Sequence, residues 1–243
     1  MTRFGVSQLG ITFLISSAFF FIKFKSQSSK FKVKVDDILT ETRLIKPARI
    51  LTQVFSPFYA PIWALLWLLF FSTYRFIALE ARLSILFMVL IFTVVIPKVT
   101  LFVLRTGLNM SRWQFDMRSN RHIQYAVTFI SSLACIVVLR RWTSFDFLYG
   151  VLIAALVAEI VCLIINMWWK ISVHMVGIGG LVGLVGAFSA RFGFDPVWPT
   201  CVILLLAGFL GSSQMFLRQH NLVQIIVGFI VGVLCARITF MLW

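Results

Sequence analysis

Three polar side chains interrupt a hydrophobic stretch in the second half of the sequence. The segment WWKISVHMVGIGG, residues 168–180, places Lys170, Ser172 and His174 between two long apolar runs. An imidazole with a pKa near neutrality can transfer a proton, and it can also act as a nucleophile without first losing one. Ammonium and hydroxyl groups nearby are suitable donors to phosphate oxygens. The segment therefore indicates a phosphate site at the boundary between lipid and water.

A second segment with the same combination of groups follows later in the chain. The stretch SQMFLRQHNLVQ, residues 213–224, contains Arg218, His220 and Gln224. Gln224 follows His220 by four positions, so a helix stacks the two side chains one turn apart, and the amide can hold the imidazole in one tautomer. The planar guanidinium of Arg218 matches the geometry of phosphate oxygens.

A third segment, FDMRSNRHIQY at residues 115–125, leads into another apolar run. It supplies Asp116, Arg118, Arg121 and Tyr125. Arginines and lysines at the ends of membrane helices also serve as anchors at the lipid–water interface. Each cation in the three segments therefore has two interpretations, as an anchor or as a phosphate ligand.

The composition points to lipid as the solvent around these groups. Of 243 residues, 60% are hydrophobic and 12% are charged, whereas a soluble domain has about a quarter charged residues. A single globular core could not bury this much apolar surface. The formal net charge of +14 is concentrated in short connections between apolar runs. That distribution favours membrane lipids and phosphorylated substrates as partners, and no nucleic-acid-binding motif is present.

Seven apolar stretches approach or exceed the length that crosses a bilayer. No strand-like alternation with turn signals occurs, so the predicted fold is all-α, a polytopic transmembrane helix bundle with about seven spans (six to eight). Residues 43–243 would form the bundle, and residues 1–42 a basic N-terminal extension with a possible apolar anchor at 5–22. We expect Pro97 to kink the second span near its end. The predicted spans are 57–74, 83–104, 123–139, 146–168, 173–190, 198–216 and 221–241.

With seven spans, the connections alternate between two faces of the membrane. The loop 105–122 and the connections 169–172 and 217–220 then share one face, and every histidine of the chain lies at a span end on that face. The basic tail at 23–56 falls on the same face, and because of it the positive-inside rule assigns this face to the cytoplasm. Helix N-termini near Ser172 and Asn221 carry unpaired N–H groups and a partial positive charge, which favour an anionic oxygen.

Other features favour structural roles. The run GIGGLVGLVG, residues 177–186, has Val182 where a dinucleotide fingerprint needs its third glycine, so close helix packing is the better interpretation, as it is for Gly228 and Gly232. Glu159, by contrast, is an acid well within a span and therefore a functional candidate, which would face the bundle interior and pair with a cation or a backbone donor. Its partner cannot be read from the sequence. We expect no metal and no cofactor, because three histidines without paired carboxylates make a poor metal cage.

At the histidine segments the chain resembles the type 2 phosphatidic acid phosphatase superfamily, the integral-membrane lipid phosphate phosphatases. The stretch ISVH, residues 171–174, is similar to the family motif Pro-Ser-Gly-His, with its serine and histidine kept. The segment 213–224 is similar to the motif Ser-Arg-x5-His-x3-Asp, with Gln214 and Gln224 at the arginine and aspartate positions.

Two more segments resemble a bacterial branch of this superfamily. The stretch DMRSNRHIQY is similar to a D-x-R-x-x-R-x-x-P-Y element, with Gln124 in place of the proline, and RLIKPARILTQVFSPFYAPIWALL is similar to that branch's usual beginning. The resemblance covers about residues 43–241. It implies a location in a bacterial cytoplasmic (inner) membrane.

The resemblance implies a phosphatase that hydrolyses a lipid phosphomonoester or pyrophosphate, such as phosphatidate or a polyprenyl phosphate. His220 would be the nucleophile, and His174 the acid that protonates the leaving alcohol oxygen. From the three segments and the resemblance together, the expected phosphate-binding residues are Arg118, Arg121, Lys170, Ser172 and Arg218. The expected supporting residues are Gln214, Gln224, Asp116 and Tyr125.

The two glutamines leave other functions open. Gln214 removes a charged contact to the transferring phosphoryl group, and Gln224 removes the charge that would stabilise an imidazolium. A catalytically impaired relative that binds lipid phosphate or a membrane partner is therefore the main alternative. A transporter or channel is a third possibility, although no inverted repeat is evident. A prenyltransferase is disfavoured, because no aspartate cluster is present to bind Mg²⁺ and pyrophosphate.

Overall fold

The computed structural model describes residues 45–107, 121–142, 146–193 and 195–242. Within these ranges the chain forms helices joined by short connections and contains no strand, so the predicted all-α fold is confirmed. Internal contacts divide the chain after Pro47, and the helices from Ala48 onward form one unit. The predicted extension at 1–42 and the apolar segment at 5–22 lie outside the described residues.

Nine α-helices follow one another in the described ranges, and short 3-10 or π-helical turns join some of them. They are α1 (Ile45–Val54), α2 (Ala60–Phe71), α3 (Leu79–Leu90), α4 (Ile96–Gly107), α5 (Arg121–Trp142), α6 (Asp146–Trp168), α7 (Val173–Phe192), α8 (Val197–Phe216) and α9 (Leu222–Leu242).

Six helical segments of the described chain are long and apolar enough to cross a membrane. One of them joins α3 and α4 as Leu79–Gly107, and α5 to α9 supply the other five. The pair Ile45–Val54 and Pro57–Phe71 counts as a seventh span if its 40° bend is accepted. The predicted number of spans is confirmed, because a run of about 20 apolar residues is a strong signal of a bilayer-crossing helix.

The outward faces of the spans are apolar. Ile130, Leu205 and Phe209 each keep between 64% and 66% of their surface exposed. Soluble proteins rarely expose large contiguous apolar patches, whereas hydrocarbon solvates such side chains at no cost. The exposed faces therefore match a bundle surrounded by lipid.

A π-helical turn separates α3 from α4. It covers Ile91–Val95 and comes just before Pro97. Proline has no N–H for the carbonyl of Thr93, and its ring crowds that carbonyl, so the helix widens at this point. Ser131 of α5 donates its hydroxyl hydrogen to the carbonyl of Phe92 in the same turn. The irregularity that we expected from Pro97 lies on its N-terminal side.

Helices α7 and α9 run parallel and pack backbone against backbone. A Cβ atom added at Gly179 would lie 2.1 Å from the Phe229 carbonyl oxygen, and one at Gly232 would lie 2.1 Å from the Val176 carbonyl oxygen. Only glycine permits an approach this close. We call this contact the glycine interface, and it confirms the packing role predicted for glycines on both helices.

Aromatic rings fill the bundle at the end where α6 begins and α7 ends. Phe147 stacks on Phe240 with ring centroids 4.5 Å apart, and Phe188 meets Phe147 edge-on at 5.3 Å. Tyr74 and Phe192 extend this aromatic cluster. Such ring pairs contribute about 0.5–1.5 kcal/mol each beyond the burial of their area, so this end of the bundle is firmly packed.

Candidate functional site

A cavity of about 580 Å³ lies inside the helix bundle, between α2, α5, α6, α7 and α9. Its far end is apolar and includes Leu184 and Phe240, the latter a member of the aromatic cluster. The α7 wall from His174 to Leu184 is about 15 Å long, at 1.5 Å per residue, which is roughly half the hydrocarbon thickness of a bilayer. The opposite end, called the polar end below, is lined by Lys170, His174, Gln219 and His220.

Two connections between helices meet at the polar end. The Lys170 ammonium donates to the Gln219 carbonyl oxygen at 2.8 Å. The Ser172 amide N–H donates to the Gln224 carbonyl oxygen at 3.5 Å, which is a longer bond. These bonds join the start of α7 to the start of α9, so the predicted placement of the two connections on one face is confirmed. Both helix N-termini lie at this end of the bundle, and their partial positive charges favour an anion there.

The side chain of Gln224 determines the tautomer of His220. Its Oε1 atom accepts the backbone N–H of Asn221 at 3.1 Å, which identifies this atom as the oxygen of the amide. The same oxygen lies 3.1 Å from Nδ1 of His220, so Nδ1 carries the proton. The lone pair of the neutral ring is therefore on Nε2. Gln224 occupies the supporting position that its spacing from His220 predicts.

His174 lies in the first turn of α7 and is half-buried on the cavity wall. Its ring lies near the backbone of Thr52, a buried residue of α1. Thr52 lies outside the three segments that predicted the site. The structure thus brings His174 and His220, from separate parts of the chain, to the wall of one cavity.

Ser172 and Gln214 form a buried pair behind the cavity wall. Both side chains are 0% exposed, and the Ser172 hydroxyl donates to Oε1 of Gln214 at 2.6 Å. Ser172 is also the N-cap of α7, since its oxygen accepts the N–H of Met175 at 3.4 Å. Neither residue lines the cavity, and Nε2 of Gln214 has no hydrogen-bond partner among the described residues.

The remaining predicted site residues lie in different places. Tyr125 lines the cavity. Arg218 is exposed, is not among the lining residues, and has a left-handed backbone with φ of 53°. Arg121 is the first residue of α5, but its side chain lies outside the described part of the structure. Asp116 and Arg118 lie wholly outside the described residues.

Sequence reasoning did not place several polar residues of the cavity wall in the site, although it noted Glu159 as an acid within a span. Glu159 of α6 accepts a hydrogen bond from the Thr128 hydroxyl of α5, and both residues line the cavity. Gln124 and Gln219 also line it. Thr128 sits one helical turn after Gln124, so the apolar run of α5 concealed a polar stripe. In the described part of the chain, no three His, Cys, Asp or Glu side chains form a group that could hold a metal.

The helices and the cavity define a class of protein, an all-α bundle with six or seven helices long and apolar enough to cross a membrane. Comparison of the chain with protein-family models, with curated proteins and with solved structures finds no match. The interpretation of the site therefore depends on its own geometry and on the motif resemblance.

Proposed function

We propose that this protein is an integral membrane phosphatase that hydrolyses a lipid phosphomonoester or pyrophosphate, with His220 as the nucleophile. The observation that carries the proposal is the meeting of His220 and His174 on the wall of one cavity that is polar at one end and apolar at the other. A phosphate group fits the cationic end, beside Lys170 and two helix N-termini. A hydrocarbon chain fits the far end, beside Leu184 and Phe240.

The reaction would proceed in two displacements. Nε2 of His220 attacks phosphorus and forms an N–P bond while the P–O bond to the lipid breaks, and His174 gives its proton to the leaving oxygen. A water molecule then attacks the phosphohistidine, gives a proton back to His174 and releases inorganic phosphate.

The other residues of the site have supporting roles in this scheme. Gln224 keeps the lone pair of His220 on Nε2, the nitrogen that attacks. Lys170 supplies positive charge at the polar end, where negative charge accumulates on the phosphoryl oxygens in the transition state. The phosphoryl contacts expected from Arg118 and Arg121 belong to this proposal as well.

The decisive experiment measures inorganic phosphate released from a panel of lipid phosphates by the purified protein in lipid nanodiscs. The wild type should release phosphate, and His220→Ala should reduce release to background. Leu222→Ala is a matched control, because Leu222 is 53% exposed and does not line the cavity. A folded wild type that releases no phosphate from any lipid, or a His220→Ala variant at full rate, overturns the proposal.

A second function, lipid-phosphate binding without hydrolysis, is favoured by one observation. Gln214 occupies the position of the family's arginine, is neutral, and is held inside the wall by Ser172. Gln224, at the position of the family's aspartate, is likewise neutral and supplies no negative charge to stabilise a protonated His220. This function predicts that a non-hydrolysable lipid phosphonate binds to the wild type and to His220→Ala with similar affinity, while neither protein releases phosphate from a lipid phosphate.

A further inference from the structure

The cavity contains a second polar group away from the histidines. Glu159 of α6 and Thr128 of α5 line it together, and the Thr128 hydroxyl donates to Oε1 of Glu159. No other acid of the described residues lines the cavity. Oε2 of Glu159 has no hydrogen-bond partner in the described part of the chain. A carboxylate inside a membrane bundle is costly unless it faces a polar partner or a polar cavity.

The pair lies deeper in the cavity than the histidines. Thr128 is about 10 Å along α5 from its start at Arg121, and Glu159 is about 13 Å along α6 from its end at Trp168. Tyr125 of α5 packs with Ile171 and Ile165 in one cluster, so these helix ends lie at the polar end. The cavity thus has a polar end, a second polar group (Glu159 and Thr128) about two helical turns further in, and an apolar far end.

The Thr128 hydroxyl can give up its hydrogen bond to Glu159 and still donate to another acceptor. Its hydroxyl lies 3.0 Å from the carbonyl oxygens of Gln124 and Tyr125, as well as within reach of Glu159. One hydroxyl carries one proton, so it donates to one of these three acceptors at a time. If a ligand group donates to Glu159, Thr128 can turn to a carbonyl of its own helix and remain satisfied.

From this geometry we propose that Glu159 and Thr128 form a second binding subsite, which takes a hydroxyl or ammonium group on the same amphiphile whose phosphate occupies the polar end. The inference rests on the proposed function and names its substrate class. The substrate is a lipid phosphate with a hydrogen-bond donor at the start of its chain. Positive charge at Lys170 and an acid at Glu159 orient such a molecule, with its phosphate outward and its hydrocarbon chain towards Leu184.

The experiment measures the affinity of three non-hydrolysable lipid phosphonates of equal chain length for the protein in nanodiscs. One has a plain chain, one has a hydroxyl near the phosphonate, and one has an amine there. The wild type should bind the hydroxyl and amine lipids about tenfold more tightly than the plain lipid, which corresponds to about one hydrogen bond to a buried carboxyl group. Glu159→Gln, which is isosteric, should lose the preference for the amine and keep part of the preference for the hydroxyl.

Thr128→Val provides a second variant that does not depend on Glu159→Gln folding. It removes a hydroxyl oxygen of the subsite that can accept a hydrogen bond from the ligand, so it should lower affinity for the hydroxyl and amine lipids several-fold, with no change for the plain lipid. A purely structural pair would instead leave the preferences of this variant unchanged. The control is Leu222→Ala, outside the cavity.

The possible failures are distinguishable. Equal binding of all three phosphonates by the wild type, or a preference that survives unaltered in both variants, overturns the second subsite and leaves the proposed function standing. Absence of binding by every phosphonate to folded wild type overturns both, because no lipid-phosphate site would then exist.

Discussion

On one side of the cavity, α7 and α9 meet through glycine backbones, with no room for a single added carbon at Gly179 or Gly232. On the other side, α5 and α6 face the cavity with small and polar side chains, among them Ala155 and Glu159. The tight side carries His174 and His220 at the polar end, and the loose side borders the open space of the cavity. Close packing is thus found between α7 and α9, whereas open space is found beside α5 and α6. A bundle built in this way can hold fixed side chains next to a cavity.

The largest effect should come from adding one methyl group to the glycine interface. Gly179→Ala places a Cβ 2.1 Å from a backbone oxygen that cannot move aside, so we expect it to lower the free energy of unfolding by about 3 kcal/mol or more. Gly180→Ala, next in the chain, meets nothing within 4 Å and should change stability by less than about 1 kcal/mol. Unfolding in mixed micelles measures both, and equal losses would show that the interface is not tight.

A smaller effect is expected at Gln224 of α9, whose side chain contacts His220 at the polar end. Gln224→Leu removes the acceptor of His220 Nδ1, so phosphate release should fall about 10–100-fold. Gln224→Glu keeps both hydrogen bonds and adds a charge that stabilises the imidazolium, so release should rise. Initial rates with a lipid phosphate test both changes, and a Gln224→Leu variant at the wild-type rate removes Gln224 from the mechanism.

The buried pair at the start of α7 should contribute about 1 kcal/mol. Ser172→Ala removes the cap of α7 and the partner of Gln214, with a cost of that size. Gln214→Leu should cost less than Ser172→Ala, because Nε2 of Gln214 has no partner in the described structure. A double-mutant cycle of unfolding free energies measures the coupling, and strict additivity would mean that the hydrogen bond contributes nothing.

The smallest change in stability is expected on the loose side. Ala155→Val adds two methyl groups beside open cavity, so the free energy of unfolding should stay within about 0.5 kcal/mol of the wild type. The same change narrows the space for a lipid chain and should weaken binding of a lipid phosphonate several-fold. If Ala155→Val is as destabilising as Gly179→Ala, the two sides of the cavity do not differ in the way described above.

Most of the fold was predictable because apolar length is a local property of the chain. The spans expected at 146–168 and 198–216 correspond closely to α6 and α8, since bilayer thickness determines how many residues a helix needs. The π-helical form of the turn before Pro97 was not predicted. Proline indicates that the helix is disturbed, but whether it kinks or widens also depends on neighbouring helices, such as α5, whose Ser131 hydroxyl donates to the Phe92 carbonyl.

The candidate site was only partly predictable. The placement of His174 and His220 at one end followed from counting spans, and the Gln224 contact followed from helical spacing. The Ser172–Gln214 pair could not be foreseen, because it joins two helices whose rotation about their axes is set by packing. Thr128, the partner of Glu159, was hidden for the same reason.

The backbone of Arg218 has a consequence for how His220 is aimed. A left-handed conformation costs a non-glycine residue about 1–2 kcal/mol, and here it reverses the path of the chain between α8 and α9. The backbone φ angle of Arg218, two positions before His220, therefore sets the direction in which the chain enters α9 and with it the position of the imidazole. Proline at 218, locked at negative φ, would send the chain out of α8 along another course and carry the His220 ring away from the cavity wall.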